Sequence, residues 1–321
     1  MTAPDSFPQN KSVALMFPGQ GSHFPGMAVD LAAESPKARA ILERADEILG
    51  YSLSEIMARD RGDELNRTIH TQPAVFVHSM ALLQVLRDHF SLTPVVAAGH
   101  SLGEYSALCA AGVLSFDEAL RIIQVRAKGM DEAQASGMCG MAALVGLTRE
   151  QAMAIVEQHR GDDVLEAANF NSPDQVVISG HINAVNRAMG ALKQEKRTRA
   201  VLLPVSSAFH TSLMEPARLA LKSKLEEISP GQPLFPVIAN VNAQTYPASG
   251  QTVKQLLTDQ IVRPVLWEDC VNRMKGNGAE TFIEIGPGKV LAGLLRRIDR
   301  NAQAVNIFDM QSIRSLAGAW S

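Results

Sequence analysis

Short apolar runs alternate with segments of helical periodicity along most of the chain. A short apolar run without alternating polar residues predicts a strand that is buried on both faces. The runs of this kind outside the middle of the chain are Val13–Phe17, Val95–Ala98, Val237–Ala239 and Thr281–Ile285. The segments with helical periodicity around them are Met27–Leu49 with a break near Ser35, Pro73–Phe90, Glu104–Leu108, Phe116–Ala135, Ser212–Ile228, Thr252–Val262, Trp267–Lys275 and Lys289–Ile298. This alternation predicts an α/β protein in which helices cover both faces of a parallel sheet.

The pattern changes in the middle of the chain. The predicted strands there are Met141–Val145, Val164–Asn169, Gln175–Ser179 and Ala200–Val205, and the predicted helices are Thr148–His159 and Ile182–Gln194. Thr148 with Gln151 three residues later predicts a capping box at a helix start, and Asn171–Asp174 has the composition of a turn. The resulting order, βαββαβ, is that of a ferredoxin-like unit.

The length of 321 residues exceeds that of most single domains. We therefore expect a large domain with a smaller one inserted into it. The large domain is predicted over residues 1–135 and 206–321, and the inserted ferredoxin-like subdomain over residues 136–205.

Composition and charge are those of an ordinary globular protein, with 46% hydrophobic residues and a formal net charge of −3. A charge this close to balance gives no support to nucleic-acid binding, which usually depends on a basic surplus or stripe. No apolar run approaches the ~18–20 residues that span a bilayer, and the polar stretch Met1–Ser12 lacks the apolar core of a signal peptide. Cys109, Cys139 and Cys270 are far apart and have no metal-ligand spacing, which suits a reduced compartment. We expect a cytoplasmic protein that binds no membrane, nucleic acid or metal.

The pentapeptide Gly99–Gly103 follows a predicted strand and precedes a predicted helix. A Gly-x-Ser-x-Gly turn in this context presents a serine on a strained elbow, with the free N–H groups of the helix beside it. The hydroxyl of Ser101 could then meet a substrate carbonyl, and the N–H groups could stabilise the developing negative charge. A glycine-rich turn with an incidental serine is the alternative. The pattern indicates acyl chemistry and leaves open both the acyl group and its acceptor.

A serine hydroxyl needs a base that removes its proton. Most of the eight histidines lie within or beside helical segments, where a surface or capping role is the simpler interpretation. His210 differs, because it lies in the small-residue loop Ser206–Thr211 that follows a predicted strand. The carboxylates between Ser101 and His210 fall mostly on solvated helix faces, so a backbone carbonyl is the expected orienting group for the imidazole. Such a dyad counts against a routine esterase, in which an acidic residue comes between the serine and the histidine.

Several motifs occur in a fixed order along the chain. They are Phe17–Ser22, Gly99–Tyr105, Arg126, Asn169–Pro173, Ala208–His210 and Glu284–Leu291. Together they make the chain resemble the bacterial malonyl-CoA:acyl-carrier-protein transacylases and the acyltransferase domains of polyketide and fatty-acid synthases. The resemblance covers residues 13–310 and is far more specific than the elbow alone. It implies an α/β-hydrolase-like large domain with a ferredoxin-like insertion, in agreement with the order of the predicted elements.

The resemblance also implies a mechanism in which Ser101 is the nucleophile and His210 is the base. Malonyl would pass from malonyl-CoA to an ester on Ser101, and then to the phosphopantetheine thiol of an acyl carrier protein in a ping-pong sequence. The backbone N–H groups of Leu102 and Gln20 would form the oxyanion hole. The main-chain carbonyl of Gln260 would hold the imidazole N–H. No cofactor is implied beyond the two substrates.

Arg126 is the residue through which the resemblance specifies the substrate. A guanidinium offers a planar fork that matches a carboxylate, and malonyl carries a free carboxylate where acetyl has none. The alternative for Arg126 is a surface residue on an exposed helix. Phe209 matches the family pattern for malonyl over branched units, because a ring there leaves little room for an α-methyl group. Asn171 and Gln72 match polar positions that line the family's site, although a turn or cap role suits each equally well, and His100 is expected to pack behind the elbow.

Carrier proteins are acidic, so their docking surface on this chain is expected to be basic. Two basic clusters are present, Lys193, Lys196, Arg197 and Arg199 in the first, and Arg296, Arg297 and Arg300 in the second. Either cluster could instead be a solvated face. We expect the chain to act as a monomer.

Two other functions compete with malonyl transfer. An acyl hydrolase that clears acyl groups from carrier proteins would keep Ser101 and His210 but has no need for a carboxylate clamp, so Arg126 argues against it. A non-catalytic scaffold that only binds carrier proteins is disfavoured, because every reacting position is filled. The sequence leaves open whether the pathway is fatty-acid or polyketide synthesis.

Overall fold

The computed structural model describes residues 5–6, 12–59, 63–134, 138–192, 198–205 and 207–320. Its strands are β1 (Asp5–Ser6), β2 (Val13–Phe17), β3 (Phe90–Ser91), β4 (Val96–Gly99), β5 (Cys139–Val145), β6 (Leu165–Ser172), β7 (Gln175–His181), β8 (Arg199–Leu202), β9 (Val237–Ile238), β10 (Thr281–Ile285) and β11 (Gln303–Ile307). Its α-helices are α1 (Val29–Glu34), α2 (Pro36–Leu49), α3 (Leu53–Arg59), α4 (Thr68–His89), α5 (Gly103–Ala110), α6 (Phe116–Gln134), α7 (Arg149–Arg160), α8 (Ile182–Ala191), α9 (Glu215–Leu225), α10 (Gly250–Gln260), α11 (Trp267–Gly276), α12 (Val290–Ile298) and α13 (Met310–Trp320). None of these helices is both long and apolar enough to cross a membrane.

A five-stranded parallel sheet in the order β11-β10-β2-β4-β9 forms the centre of the larger part of the molecule. Every residue of β2, β4 and β10 is buried. Two apolar clusters cover the sheet, one with Leu15 and Ile283 and the other with Met16 and Phe282. Adjacent residues of one strand thus pack on opposite faces, which explains why these strands are continuous apolar runs. The predicted parallel sheet is confirmed.

A separate antiparallel sheet has the order β6-β7-β5-β8. Together with α7 and α8, its strands follow the order βαββαβ, so the predicted ferredoxin-like arrangement is confirmed. The two helices pack on the sheet through an apolar cluster that includes Leu144, Val156, Ile178 and Val185. The domain boundaries at residues 136 and 205 stay predictions.

The start of α7 contains both hydrogen bonds of the predicted capping box. The Gln151 N–H donates to Thr148 Oγ1 at 3.3 Å, and the Thr148 N–H donates to Gln151 Oε1 at 2.9 Å. These bonds pair backbone donors that a helix start otherwise leaves unsatisfied.

Backbone pairing joins the antiparallel sheet to the segment that follows α10. The Val265 N–H donates to Ala168 O, and the Phe170 N–H donates to Val265 O, each at 2.9 Å. Two ion pairs link the same parts of the molecule, Arg149–Asp269 at 2.6 Å and Arg297–Asp174 at 2.9 Å. Because the segment after α10 begins next to Gln260, the small sheet is fixed beside the candidate site.

Several predicted boundaries were wrong for identifiable reasons. Helix α4 begins at Thr68 rather than at Pro73, because the residues before the proline are polar except for Ile69 and give no hydrophobic period. The predicted helix Ser212–Ile228 is a 3-10 turn over Ser212–Met214 followed by α9. The last strand of the small sheet, β8, ends at Leu202 and not at Val205.

The elements β1, α3, β3, β11 and α13 were not predicted. Strand β11 forms an edge of the parallel sheet, and most of its residues are only half-buried or exposed. It therefore lacks the continuous apolar run that marks the inner strands.

Candidate active site

Ser101 lies in a sharp turn between β4 and α5 and has a positive φ of 51°. A residue other than glycine rarely holds this conformation unless its surroundings impose it. A Cβ on Gly99 would come within 1.9 Å of the Gly103 carbonyl, and a Cβ on Gly103 would come within 2.0 Å of Phe17 O. Close backbone approach therefore requires both flanking glycines, and the turn is built as a strained elbow that presents the serine.

Ser101 and His210 are in hydrogen-bond contact, with 2.8 Å between Oγ and Nε2. His210 Nδ1 lies 2.8 Å from the main-chain oxygen of Gln260. A carbonyl oxygen only accepts, so Nδ1 carries the proton and Nε2 accepts from the serine hydroxyl. Burial, together with the charge of Arg126, lowers the pKa of His210 to about 3. The imidazole is therefore neutral at ordinary pH and is placed to take the proton of Ser101.

Arg126 projects from α6 and is 1% exposed, so the alternative of a surface residue is excluded. Its Nη1 donates to Gln72 Oε1 at 2.6 Å. Its Nη2 donates to Ser101 Oγ at 2.9 Å and to Gln260 Oε1 at 3.0 Å. These acceptors are all neutral, and the described residues offer no acceptor to its Nε. A buried guanidinium on neutral acceptors favours the approach of an anionic group to the space beside Ser101.

Glu104 lies in the first turn of α5 and is 1% exposed. Its Oε1 accepts from the Asn240 N–H at 3.1 Å and from the Tyr246 O–H at 2.5 Å, and its Oε2 accepts from Gln260 Nε2. Burial raises the pKa of Glu104 to about 7, although the hydrogen bonds from Tyr246 and Gln260 favour the charged form. Glu104 lies within the motif Gly99–Tyr105, but no role for this residue could be predicted from that motif.

Asn240, which the sequence motifs did not identify, also holds the backbone of the elbow. Its Oδ1 accepts from the Ser101 N–H at 2.8 Å, and its Nδ2 donates to Gly99 O at 2.8 Å. Asn240 and Tyr246 come shortly after the two-residue strand β9, in a stretch without a motif. The only signal for them was the position of polar residues after a buried strand.

The N–H groups of Leu102 and Gln20 have no acceptor within the described ranges. Leu102 directly precedes α5. The loop that carries Gln20 lies against the elbow, since a Cβ on Gly19 would come within 2.5 Å of His100 O. The side chain of Gln20 donates to Thr68 Oγ1 at 3.4 Å. Both backbone N–H groups are thus available to a developing oxyanion next to the elbow.

Asn171 lies in β6 and not in the predicted turn, which is confined to the residues between β6 and β7. Its Oδ1 lies 2.9 Å from His100 Nε2, and its Nδ2 donates to Gln175 Oε1 at 3.3 Å. In the part of the chain that the structure describes, no hydrogen bond joins Asn171 to Ser101. The His100 ring packs against Trp267, with 5.5 Å between ring centroids. Asn171 therefore contacts the back of the elbow through His100.

Gln72 and Phe209 border the reacting groups in different ways. Gln72 contacts Arg126 directly through its side-chain oxygen. Phe209 is buried in the main apolar cluster and immediately precedes His210, which itself has a positive φ of 60°.

The two basic clusters are only partly within the described residues. Arg199 is exposed at the start of β8, Arg296 and Arg297 are exposed at the end of α12, and Arg300 is exposed just after that helix. Lys193, Lys196 and Arg197 lie outside the described residues. Arg297 is already paired with Asp174.

The oxygen atom of the Ser101 hydroxyl is in contact with both a neutral imidazole and a buried guanidinium. Such an arrangement suits the formation of an ester on Ser101 and its later release. No group of three acidic, histidine or cysteine side chains that could hold a metal ion occurs in the described ranges.

Comparison with known proteins agrees with this chemistry. Residues 15–314 match the family model of the acyl transferase domain. The chain is 40% identical over 307 residues to the malonyl CoA-acyl carrier protein transacylase of Haemophilus influenzae, with 95% of this chain and 98% of that protein covered. The structure of the malonyl CoA-acyl carrier protein transacylase of Coxiella burnetii matches with a TM-score of 0.93 at 35% identity, over 97% of this chain and 98% of that one.

A further structural match is a malonyl-transacylase in complex with its type II PKS acyl-carrier protein. It has a TM-score of 0.92 at 38% identity and covers 96% of this chain and 100% of that one. The family and the fold that the motifs implied are confirmed by these matches. The chain belongs to the acyl transferase family, among the malonyl CoA-acyl carrier protein transacylases.

Proposed function

We propose that this chain transfers a malonyl group from malonyl-CoA to the phosphopantetheine thiol of an acyl carrier protein, through an ester on Ser101. The observation that carries the proposal is the surroundings of Ser101 Oγ. This atom contacts the neutral nitrogen of His210 and the cationic side chain of Arg126. The first contact serves nucleophilic acyl transfer, and the second serves a substrate with a free carboxylate.

In the first half-reaction, Ser101 Oγ attacks the thioester carbonyl of malonyl-CoA while His210 Nε2 takes the hydroxyl proton. The carbonyl oxygen becomes an oxyanion, which the N–H groups of Leu102 and Gln20 stabilise. Collapse of the tetrahedral intermediate breaks the C–S bond, and the imidazolium returns its proton to the CoA sulfur. The main-chain oxygen of Gln260 stabilises the imidazolium in the meantime. The products are the malonyl ester and free CoA.

The second half-reaction uses the same groups with another thiol. The phosphopantetheine thiol gives its proton to His210, and its sulfur attacks the ester carbonyl. When the intermediate collapses, the C–O bond to Ser101 breaks and His210 protonates the serine oxygen. Water in place of the thiol would make the protein an acyl hydrolase, which is the alternative function.

Arg126 is the proposed selector of malonyl. A substrate carboxylate can replace a neutral acceptor on the guanidinium and form two parallel, charge-assisted hydrogen bonds. Acetyl offers no such group. Gln72 holds the other arm of the guanidinium in place by its contact at 2.6 Å.

Two further residues are proposed to shape the acyl pocket. The ring of Phe209, next to His210 in the chain, would leave little room for an α-methyl group. Asn171 is the second proposed residue of the pocket, and its hydrogen bond with His100 connects it to the residue directly before Ser101.

An acyl carrier protein is the proposed partner, in keeping with the names of the relatives and with the relative solved in complex with its carrier protein. The proposed docking groups are the exposed residues Arg199, Arg296, Arg297 and Arg300. Because carrier proteins are acidic, these arginines would attract the carrier and orient it. Both fatty-acid and polyketide carriers fit this chemistry, and transfer assays with purified carriers of each kind separate the two pathways.

The test is intact-protein mass measurement in two stages. After malonyl-CoA is added, we expect the mass of one malonyl group on the protein and none on Ser101→Ala. The adduct should persist in buffer and disappear when a phosphopantetheinylated carrier protein is added, with the malonyl mass appearing on the carrier. Prompt loss of the adduct in buffer alone would favour the hydrolase.

We propose in addition that the chain works as a monomer in the cytoplasm and needs no cofactor. All three cysteines are free in the structure, which suits a reducing compartment. Light scattering during size-exclusion chromatography tests the monomer, and a stable dimer would contradict it. Loading of malonyl by metal-free, cofactor-free protein tests the absence of a cofactor requirement.

A further inference from the structure

The proposed reaction leaves Glu104 without a role, although its carboxylate is buried next to the site. Three donors converge on it, the Asn240 N–H, the Tyr246 O–H and the Gln260 side-chain amide. Two of these donors are amide N–H groups, which cannot accept. The set therefore suits an ionised carboxylate, which only accepts. Burial of a charged carboxylate costs free energy even when several donors surround it. This cost indicates that Glu104 has an effect on the groups that it contacts.

The contact with Glu104 decides which way the Gln260 amide points. Gln260 Nε2 donates to Glu104 Oε2 and, at 2.9 Å, to the main-chain oxygen of Ser101. Both partners are acceptors, so the NH₂ group must face them. The amide oxygen is then left to face Arg126, from which it accepts at 3.0 Å. With the amide reversed, an NH₂ group would oppose the guanidinium.

Gln260 links this amide to both reacting side chains. Its side-chain oxygen holds Arg126, and its main-chain oxygen holds His210 at 2.8 Å. Glu104 is thus connected to the guanidinium of Arg126 through the side chain of Gln260. It makes no direct hydrogen bond to that guanidinium within the described ranges. Its negative charge can stabilise the buried cation without occupying the donors that a substrate would need.

We infer that Glu104 is a positioning residue for substrate choice, which fixes the Gln260 amide and balances the charge of Arg126 without capping it. The inference rests on the proposed function, because it assumes that Arg126 binds the malonyl carboxylate. Glu104 acts through Gln260 and touches neither substrate nor Ser101 Oγ. The preference for malonyl then depends on Glu104, the residue directly after the elbow glycine Gly103, as well as on Arg126.

The central experiment is Glu104→Gln, with steady-state loading from malonyl-CoA and from acetyl-CoA. The new amide must place its own NH₂ group against one of the three donors, which disturbs either Gln260 or the Asn240 backbone. We expect the KM for malonyl-CoA to rise while the KM for acetyl-CoA stays nearly constant. Loss of one charge-assisted hydrogen bond should lower the malonyl-to-acetyl ratio of kcat/KM by about 10- to 100-fold. An equal loss for both substrates would overturn the inference, because a purely structural role predicts it.

Tyr246→Phe is the matched control. It removes one donor from Glu104 and leaves the contact with Gln260 in place. We expect lower thermal stability and a malonyl-to-acetyl ratio within about twofold of the parent protein. A drop in the ratio as large as that of Glu104→Gln would overturn the inference.

If Glu104→Gln does not fold, Gln260→Met provides a second test of whether the Gln260 amide supports the preference for malonyl. It removes the side-chain amide and retains the main-chain oxygen that holds His210. We expect the same loss of malonyl preference, and the double variant with Glu104→Gln should lose no more than Gln260→Met alone. Additive losses would contradict action through Gln260.

Arg126→Ala separates this inference from the function on which it rests. If Arg126→Ala keeps the malonyl preference, the proposed carboxylate site is wrong. If Arg126→Ala loses the preference while Glu104→Gln and Gln260→Met keep it, only the role of Glu104 is wrong.

Discussion

The two sheets of this protein bury different kinds of side chain. Within the described residues, every buried acidic, basic or histidine side chain belongs to the part built on the parallel sheet: His78, Glu104, Arg126, His210 and Glu284. The core of the antiparallel sheet is apolar, and charged residues such as Asp163 and Arg187 pair at its surface. Buried charge is tolerated only where partners compensate for lost hydration. The difference indicates that the first part performs the chemistry and the second supports it.

Two carboxylates, Glu104 and Glu284, are buried in the part built on the parallel sheet. Burial raises the pKa of both Glu104 and Glu284 to about 7. Glu284 accepts from the N–H groups of Leu291 and Ala292, at 3.0 and 2.8 Å, at the start of α12. It pairs backbone donors of a helix start, as a capping group does. Glu104 instead binds the side chains of Tyr246 and Gln260. The two carboxylates have the same raised pKa, so only their partners distinguish the structural role of Glu284 from the positioning role of Glu104.

The largest effects are expected from Ser101 and His210. Ser101→Ala should abolish the malonyl adduct, because it removes the hydroxyl that contacts both His210 and Arg126. His210→Ala should slow loading by about 10²- to 10⁴-fold through loss of the base. His159→Ala, on a half-buried residue of α7, is the matched control and should load at the parental rate. Quenched-flow mass measurement gives the rates. An equal effect of His210→Ala and His159→Ala would contradict the assignment of the chemistry to the part built on the parallel sheet.

Arg126→Ala should reduce kcat/KM for malonyl-CoA by about 100-fold or more, through loss of charge-assisted hydrogen bonds to the carboxylate. Loading from acetyl-CoA should change far less. The control is Arg149→Ala, which removes an arginine of the antiparallel part that pairs with Asp269 and lies over the Phe170 ring. It should leave the preference for malonyl intact. Retained preference in Arg126→Ala would refute the carboxylate site.

Charge reversal at the exposed arginines should affect only the second half-reaction. Arg296→Glu with Arg300→Glu is expected to lower kcat/KM for the carrier protein about tenfold, because rim charges set the association rate. Loading from malonyl-CoA should be unchanged. Arg199→Glu tests the other cluster in the same way. Equal loss of both half-reactions would indicate a damaged fold rather than a docking surface.

The rate at which Ser101 reacts should depend less on pH than it would with an ordinary histidine as the base. A histidine with a pKa near 6.5 would be mostly protonated at pH 5 and would lose about 30-fold of its base form between pH 8 and 5. Burial and Arg126 lower the pKa of His210 to about 3, so its base form should persist throughout this range. Labelling of Ser101 by a neutral fluorophosphonate probe measures the effect. A decline with a midpoint near pH 6.5 would show that the imidazole is not held neutral.

The smallest effect is expected in the antiparallel part. Thr148→Ala removes the capping box of α7 and should lower the free energy of unfolding by about 1 kcal/mol. Malonyl loading should be unchanged at temperatures well below the unfolding transition. Thermal denaturation and loading assays on one preparation check both outcomes.

Much of the fold could be predicted because its inner strands are continuous apolar runs. Val13–Phe17 and Thr281–Ile285 are strands with the bounds that the hydrophobic pattern indicates. The capping residues Thr148 and Gln151 marked a helix start, which the structure contains. The beginning of α4 and the edge strand β11 could not be predicted, because polar residues there are placed by tertiary contacts and not by a local period.

The residues of the candidate site could be predicted where they belong to recognisable sequence motifs. The structure brings Ser101, His210, Arg126 and Gln260 into contact. Glu104 and Asn240 were not predicted as members, because their roles depend on which buried donors and acceptors face each other. Such pairings join residues more than a hundred positions apart and leave no local pattern.

The central claim is that Ser101 carries an acyl group which Arg126 selects for its carboxylate. The most direct test is a competition in which the protein meets equal concentrations of malonyl-CoA and acetyl-CoA, followed by intact mass and peptide mapping at early times. We expect a malonyl adduct on the peptide that contains Ser101, with acetyl as a minor product. Predominant acetylation, or an adduct at any other residue, would contradict it.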